Sequence, residues 1–367
     1  MSSVKAVLST GFQSEGELVK VGSVPYPKIN DDQILIKAKS FAVNPTDWKH
    51  LTFAEADYIV GSDVSGVVEE VGSKVEGFTK GDVVSSFIRG NVSSAKGAFT
   101  EYVIAEQNST IKYGNGSKFS NEGLKPGSYP TSLIDTYEGA SSVTLGLCTV
   151  ALSFVNLGIK FGDESNSTKS ILIWSGSTAT GVLAIQVAKL VFGLKVITTA
   201  SPKNHDFLKS LGADAVFDYH DTDVSRQIRD FAGDSIAYAL DTISSEYSFQ
   251  HVYDSTANSS HVAIDNLLGL QPLQIKTDEN RKVSYSTTLA YLIWGQDIDL
   301  MGTIFKSSTQ LVENYNDLFV KILPSYISKL KHSNLRVLNP GLESASEALE
   351  LLRQNKVSGE KVVFSLN

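Results

Sequence analysis

A regular alternation of short apolar strands and helical segments between residues 170 and 264 most constrains the fold. Short apolar runs without alternation are typical of strands that are buried on both faces of a sheet. Such an alternation implies a parallel sheet with helices on both faces, the doubly wound arrangement. The predicted strands are 171–174, 195–199, 215–218, 236–240 and 261–264, and the predicted helices are 182–192, 204–211 and 224–231.

The segment from Val4 to about Ile104 has a different pattern, with short apolar runs separated by turn residues. This spacing predicts a small, strongly bent all-β unit. After about residue 304 the pattern is mixed and ends in a predicted helix at 345–353 and a predicted strand at 361–365. A length of 367 residues suits two domains. The Gly-, Ser- and Lys-rich segment 112–129 predicts a surface insertion.

Composition excludes several classes of protein. Lys and Arg number 32 against 40 for Asp and Glu, a net charge of −8, and no basic block is present to follow a phosphate backbone. Cys148 is the only cysteine, so the chain has no internal disulfide and no thiolate cluster for zinc. The uncharged runs 140–159 and 170–188 are interrupted by polar residues, which favours buried elements over membrane spans. We therefore expect a cytoplasmic protein without a nucleic-acid or membrane partner.

A turn of small residues, 175–182, follows the first predicted strand and opens a predicted helix. Gly176 and Gly181 would let the backbone approach a pyrophosphate, and the helix N-terminus would offer it unpaired N–H groups. The strict G-x-G-x-x-G spacing is absent, and Gly/Ser turns also occur for steric reasons alone. The β-α units that follow favour a dinucleotide site.

The end of the second predicted strand indicates which dinucleotide binds. An NAD site usually places Asp or Glu there to hold the ribose 2′-hydroxyl. Residues 198–204 contain no acid but do contain Lys203, and Tyr219 follows the next strand. A 2′-phosphate would find an ammonium and hydroxyl groups, so the sequence favours NADPH. Alternatively, Lys203 is an ordinary exposed lysine and Tyr219 a residue at the edge of the core.

Three motifs carry a family resemblance: Asn44–Lys49 (NPTDWK), Gly61–Val68 (GSDVSGVV) and the spaced pattern from Gly72 to Val84. With the turn at 175–182 they resemble the medium-chain dehydrogenase/reductase superfamily. The resemblance is to its zinc-free branch, which contains quinone oxidoreductases, fungal trans-acting enoyl reductases and yeast aldehyde reductases. It implies an α/β protein with a GroES-like β-rich catalytic domain, residues 1–150 and 305–367. A Rossmann doubly wound parallel-sheet domain that binds NADPH would span 151–304.

Zinc ligands of the superfamily are missing from this sequence. Zinc-dependent members carry a cysteine where this chain has Pro45-Thr46-Asp47, and a His-Glu pair where it has Ser62-Asp63. None of the six histidines falls in an HExxH pattern. The sequence therefore predicts no metal.

The resemblance also implies roles for individual residues. From the need for a donor near the substrate oxygen, the predicted catalytic residues are Lys49, as first candidate, and Thr149 as second. Alternatively, Lys49 is a solvated loop lysine after Trp48. Asp63 would fix a loop through backbone hydrogen bonds. The predicted cofactor-binding residues are Pro45, Thr46, Asp47 and Trp48 beside the nicotinamide, Thr149, then Ser177, Thr178, Ala179 and Thr180 at the pyrophosphate, Ser201, Lys203, Asn204 and Tyr219 around the 2′-phosphate, and Leu267, Leu268, Val357 and Ser358 near the nicotinamide.

The substrate pocket is expected from segments 142–149 and 284–292, with Ser142, Leu145, Tyr285 and Tyr291 in it. Aromatic residues there suit a conjugated substrate, and they equally suit a domain core or a dimer contact. The expected function is NADPH-dependent, metal-independent hydride transfer to small α,β-unsaturated carbonyl compounds or aldehydes, with quinones as a further candidate. A trans-acting enoyl reductase of a polyketide pathway and a non-catalytic NADPH-binding protein are the alternatives. The sequence leaves open whether the chain is a homodimer or a monomer.

Overall fold

The computed structural model describes residues 2–11, 16–114, 119–120, 122–300 and 302–366. The chain forms two compact units, the first made of Met1–Leu145 with Ile327–Asn367 and the second of Gly146–Tyr326. The sequence placed these boundaries at 150 and 304. The later second boundary has a packing reason, because Tyr315 is fully buried in the second unit and its hydroxyl contacts the thiol of Cys148.

The β-strands of the described chain alternate with α-helices from β9 to β13. The strands are β1 (Ser3–Ser9), β2 (Val19–Pro25), β3 (Gln33–Ala42), β4 (Asp63–Val71), β5 (Val83–Phe87), β6 (Tyr102–Glu106), β7 (Thr110–Lys112), β8 (Gly127–Tyr129), β9 (Ser170–Trp174), β10 (Lys195–Thr199), β11 (Ala215–Phe217), β12 (Ile236–Asp241), β13 (Val262–Asn266), β14 (Val283–Thr287), β15 (Ile298–Leu300), β16 (Thr303–Phe305), β17 (Asn334–Val337) and β18 (Glu360–Ser365). The α-helices are α1 (Pro45–Leu51), α2 (Tyr137–Ser141), α3 (Thr144–Asn156), α4 (Ala179–Leu190), α5 (His205–Ser210), α6 (Val224–Ala232), α7 (Glu246–Ser255), α8 (Thr309–Asn316) and α9 (Ser344–Arg353).

The first unit is the β-rich one. Its large sheet has the order β7-β5-β4-β3-β18-β17-β8, with β6 also paired to β3, and β1 and β2 form a separate antiparallel pair. Strand β18 lies between β3, which it meets antiparallel, and β17, which runs parallel to it. Phe41, Phe99 and Phe364 form the centre of the core, with ring centroids 5.1–5.6 Å apart. The predicted bent all-β unit is confirmed, and the strand near residue 361 completes its sheet.

The second unit has a six-stranded parallel sheet in the order β11-β10-β9-β12-β13-β14. The five predicted strands correspond to β9 to β13, each within about two residues at either end, so the doubly wound prediction is confirmed. Strand β14 is additional. The sequence placed its residues in a substrate pocket. The strand has no β-α signal before it, because no α-helix precedes it and only a short 3₁₀ turn, Pro272–Gln274, lies in the connection.

Helices α2 and α3 together form an apolar stretch, Tyr137–Asn156, that is long enough to cross a membrane by length and composition alone. Most of this stretch, 78%, is buried inside the protein. A mostly buried apolar helix is typical of a protein core, which agrees with the buried elements predicted from the uncharged run at 140–159.

Candidate functional site

The turn between β9 and α4 is held in a restricted conformation. Ser175 has a φ of 62°, and the N–H of Gly176 donates to the carbonyl of Thr199 over 2.9 Å. A Cβ atom on Gly181 would lie 2.7 Å from the carbonyl oxygen of Ser175, so only glycine lets the helix begin this close to the turn. The residues from Ser177 to Thr180 are half-buried and surround the helix N-terminus, whose first N–H groups have no acceptor within the helix. The small residues and open N–H groups fit a pyrophosphate.

Thr178 caps the helix. Its hydroxyl oxygen accepts the N–H of Gly181 over 3.0 Å and lies 3.0 Å from the hydroxyl of Thr242, in the loop after β12. The hydroxyl of Thr178 therefore positions the turn, and the predicted contact of this residue with the pyrophosphate stays a prediction.

Replacing Thr178 by Val is expected to lower the free energy of unfolding by about 1 kcal/mol, because the cap and the bond to Thr242 are both lost. Urea denaturation checks this. Thr180→Val, two residues later, is the matched control. Equal effects of the two substitutions would contradict the capping role.

The predicted 2′-phosphate residues come together at the ends of β10 and β11. The hydroxyls of Ser201 and Tyr219 lie 3.1 Å apart, and Lys203 is exposed in the short 3₁₀ turn that follows Ser201. The carboxyl ends of neighbouring parallel strands meet at one edge of a sheet, which explains why residues 18 positions apart are adjacent. Asp218 is the nearest acid in sequence to Tyr219, and its carboxylate is bound by the ring and the N–H of His220, which lower its pKa.

The loops after β12 and β13 are joined to each other. Asp241 is buried and accepts the N–H groups of Ile243 and Ser244, and the hydroxyl of Ser244 accepts the N–H of Leu267 over 2.7 Å. Leu268 is exposed beside it. Leu267 and Leu268 therefore lie at the carboxyl edge of the parallel sheet, and their place near the nicotinamide stays a prediction.

In the first unit, helix α1 begins at a buried carboxylate. Asp47 is 1% exposed and accepts the N–H of Asn44 over 2.7 Å and the hydroxyl of Ser62 over 2.6 Å. Burial raises its pKa to about 7, against the effect of those two hydrogen bonds. The side chain of Asp47 therefore points into the protein and holds the helix, and the predicted place of this residue beside the nicotinamide stays a prediction.

Asp63 is also buried, and it lies beside a buried lysine. Its carboxylate accepts the N–H of Leu145 and the side-chain amide of Asn44, both over 2.8 Å, and the ammonium of Lys361 is 3.5 Å away. Burial raises the pKa of Asp63, while Lys361 lowers it. The expected backbone hydrogen bond of Asp63 is confirmed. Sequence reasoning did not identify Lys361 as a buried residue. The one sequence feature that could have indicated it is a lysine at the start of an apolar strand.

The other predicted residues of α1 are more accessible. Lys49 and Pro45 are exposed, Thr46 is half-buried, and Trp48 is half-buried against the core of this unit. The ring of His50 lies 3.2 Å from the hydroxyl of Thr46. Burial and the positive charges of its neighbours lower the pKa of His50 to about 4, so the ring is neutral at pH 7.

The remaining predicted residues are divided between the units. In the first unit, the hydroxyl of Ser142 donates to the carbonyl of Gly139, Val357 packs against the core and Ser358 is exposed. In the second unit, Thr149 is half-buried in α3.

Two predicted substrate residues pack within the second unit, Tyr285 half-buried and Tyr291 buried. Tyr285 in β14 packs against Phe249, with centroids 6.0 Å apart, and Tyr291 is only 5% exposed beside Trp294. The structure thus favours the core interpretation of these aromatic residues over contact with a substrate.

A metal ion does not fit the residues near α1. The oxygens of Asp47 and Asp63 already accept hydrogen bonds from Ser62, Asn44 and Leu145, and the cation beside Asp63 is the ammonium of Lys361. Across the residues that the structure describes, no group of three or more His, Cys, Asp or Glu side chains could hold a metal.

Two family models match the chain. One, described as the alcohol dehydrogenase GroES-like domain, matches residues 30–115, and one described as zinc-binding dehydrogenase matches residues 179–320. The second name refers to zinc, for which the described residues offer no ligand group. The first match lies in the β-rich unit and the second in the unit with the parallel sheet.

Similar proteins include several fungal ones. The uncharacterised protein YCR102C of Saccharomyces cerevisiae is 32% identical over 96% of this chain and 98% of its own length. The trans-enoyl reductase ACTTS2 of Alternaria alternata is 32% identical over 97% of each chain, and the trans-enoyl reductase TOXD of Cochliobolus carbonum is 39% identical over 76% of this chain and 88% of its own.

Solved structures share the fold. A quinone oxidoreductase of Coxiella burnetii matches all of both chains at 22% identity with a TM-score of 0.64. An alcohol dehydrogenase superfamily protein of Novosphingobium aromaticivorans also matches all of both chains, at 18% identity with a TM-score of 0.71. At these identities the likeness concerns the fold alone.

Proposed function

Since the chain belongs to the medium-chain dehydrogenase/reductase superfamily of oxidoreductases, we propose that it is an NADPH-dependent, metal-independent reductase of small electrophilic carbonyl compounds. The substrate class comprises α,β-unsaturated carbonyl compounds first, then aldehydes, with quinones as a further candidate. The observation that carries the choice of cofactor is the pair of hydroxyls from Ser201 and Tyr219 beside Lys203.

The structure fits a dinucleotide phosphate in two places of the second unit. The N-terminus of α4 would bind the pyrophosphate through its N–H groups, with Ser177 and Thr180 beside it. Lys203 would pair with the 2′-phosphate, and Ser201 and Tyr219 would donate hydrogen bonds to it. No carboxylate follows β10 to repel that phosphate, since residues 200–204 contain no acid.

Replacing Lys203 by Ala is expected to raise the KM for NADPH about tenfold, which corresponds to about 1.4 kcal/mol, and to change the KM for NADH little. Steady-state kinetics with both cofactors measure this. Lys209→Ala, an exposed lysine of α5, is the matched control. Equal losses with NADPH and NADH would overturn the 2′-phosphate assignment.

When bound, NADPH supplies a hydride. The chain must then stabilise the negative charge that develops on the substrate oxygen. Lys49 would donate a hydrogen bond to that oxygen through its side-chain nitrogen. Thr149 is the second donor, and solvent water would give the final proton. Asp47 and Asp63 hold the start of α1 in place.

Reduction of C=C is the preferred reaction within this proposal. Three relatives named trans-enoyl reductase match 32%, 30% and 39% of aligned positions, two of them over nearly the whole chain. A trans-acting enoyl reductase of a polyketide pathway is accordingly the second candidate. Activity on a free small substrate would tell against an obligate role of that kind.

The test is NADPH oxidation with trans-2-hexenal, followed by identification of the product. This substrate presents both reducible bonds, so hexanal indicates C=C reduction and 2-hexenol indicates aldehyde reduction. NADPH binding without oxidation of NADPH by hexenal or a quinone would favour a non-catalytic, cytoplasmic NADPH-binding protein and overturn the proposal.

A further inference from the structure

Lys361 is a buried lysine in a strand that otherwise enters the core. It is 6% exposed, and the four residues after it, Val362 to Ser365, are buried as well. Its ammonium binds the side-chain oxygen of Asn44 and lies 3.5 Å from the carboxylate of Asp63. An ion pair at such a place adds little stability over apolar residues of the same size, because both charges lose their hydration.

The position of this ion pair is more informative than its energy. Asn44 immediately precedes α1, and its N–H donates to Asp47 within the first turn of that helix. The Lys361 ammonium is therefore connected to α1 through one side chain. On another side the helix is held by Asn91, whose amide donates to the carbonyl of Asp47 over 2.6 Å.

Helix α1 depends on such contacts for its position. It has seven residues, and isolated helices shorter than about 12 residues are marginal in water. It carries Thr46, Trp48 and Lys49, and the last of these is the proposed donor to the substrate oxygen. A small shift of a reacting group, about 1 Å, can lower a rate about 10²-fold.

We propose that Lys361 is a positioning residue, which holds the start of α1 through Asn44 and Asp63 so that Lys49 meets the substrate oxygen. The effect of Lys361 on the reaction of Lys49 with substrate rests on the proposed function. Its effect on the position of α1 does not, and a spectroscopic measurement follows that position separately.

Four variants distinguish an effect of Lys361 on the position of α1 from the effect of leaving an unpaired buried charge. Lys361→Met alone leaves the Asp63 carboxylate buried without its cation, which strongly destabilises a protein. Combining Lys361→Met with Asp63→Asn removes both charges, and the Asn44 amide can then turn its oxygen toward the new amide at position 63. Lys361→Arg keeps the charge. Lys112→Met is the matched control, since Lys112, at the end of β7, pairs over 2.7 Å with the buried Asp82, which precedes β5 in the same unit.

A spectroscopic measurement follows α1 directly. The chain has three tryptophans, and only Trp48 lies on α1. Incorporation of 5-fluorotryptophan gives three ¹⁹F resonances, of which Trp48→Phe identifies one. We expect the double variant to shift or broaden the Trp48 resonance and to leave those of Trp174 and Trp294, in the second unit, unchanged. Lys361→Arg and Lys112→Met should resemble the wild type.

Kinetics then test the link to chemistry. With trans-2-hexenal we expect kcat of the double variant to fall about 10²-fold, with the dissociation constant for NADPH and the melting temperature near those of the wild type. Lys361→Arg should recover most of the lost kcat. An unchanged Trp48 resonance in the double variant would overturn the inference, and so would a shifted resonance with wild-type kcat. Absence of turnover in the wild type itself would defeat the proposed function, and the ¹⁹F spectra alone would then decide the place of α1.

Discussion

Lys49→Met is expected to lower kcat for trans-2-hexenal about 10²–10³-fold, the usual loss when one donor to a developing oxyanion is removed. The dissociation constant for NADPH should change little, because the residues proposed to bind the pyrophosphate and the 2′-phosphate belong to the second unit. The side chain is exposed on α1, so its removal should leave the melting temperature within about 1 °C. Stopped-flow kinetics and NADPH titration by fluorescence measure the two effects separately.

Two further variants make this test specific. Lys49→Arg should retain part of the activity, since a guanidinium also donates to oxygen but with different geometry. Lys74→Met removes another exposed lysine of the same unit, one paired with Asp31, and should match the wild type. A Lys49→Met variant with full kcat would assign the donor elsewhere, with Thr149→Val as the next substitution to measure.

Asp265→Asn is expected to change the pH dependence of stability by about 2–3 kcal/mol between pH 4 and pH 8. Asp265 is fully buried near the carboxyl end of β13, where the hydroxyls of Ser286 and Thr288 donate to it. Burial raises its pKa from 3.8 to about 6, more than those hydrogen bonds lower it. The folded protein therefore favours the protonated acid.

Because the pKa of Asp265 is higher in the folded protein, its contribution to stability decreases as the pH rises. The contribution of Asp265 to stability is complete below pH 4 and is lost as the pH rises through about 6. The asparagine variant cannot ionise, so its stability relative to the wild type should increase with pH. His50 acts in the opposite direction, because its folded pKa is lowered to about 4, but it is present in both proteins and cancels in the comparison.

Urea denaturation of both proteins at pH 4.5 and pH 8 measures this difference. Asp230→Asn, an exposed carboxylate of α6, is the control and should give a curve parallel to that of the wild type. Parallel curves for Asp265→Asn and the wild type would show that the buried acid does not titrate as described.

The sheet of the second unit could be predicted because its strands β9 to β13 are short apolar runs separated by helices. Strand β14 could not, since it is only half-buried and follows a connection without an α-helix. The pairing of Ser201 with Tyr219 was foreseeable from the rule that parallel strands end at a common edge. Its role toward a phosphate stays a prediction.

The polar network beneath α1 could not be predicted from the sequence. It joins Asn44, Asp47 and Asp63 to Lys361, which is 317 positions from Asn44 along the chain. A carboxylate in a motif looks the same whether it faces solvent or the core, so the sequence did not show that Asp47 is only 1% exposed. The burial of such a carboxylate, and the pKa that depends on that burial, are determined by strands that lie far apart in the sequence.

The place of β18 between β3 and β17 has a consequence for synthesis on the ribosome. The first unit cannot close its sheet until residues 360–365 have emerged, whereas Gly146–Tyr326 is continuous and needs no later segment. At about 5–20 residues per second, the ribosome spends roughly 10–40 s on that continuous stretch. During that time β3 has an unpaired edge where β18 will lie, so nascent chains of this protein are most exposed to aggregation, and to chaperone binding, through β3.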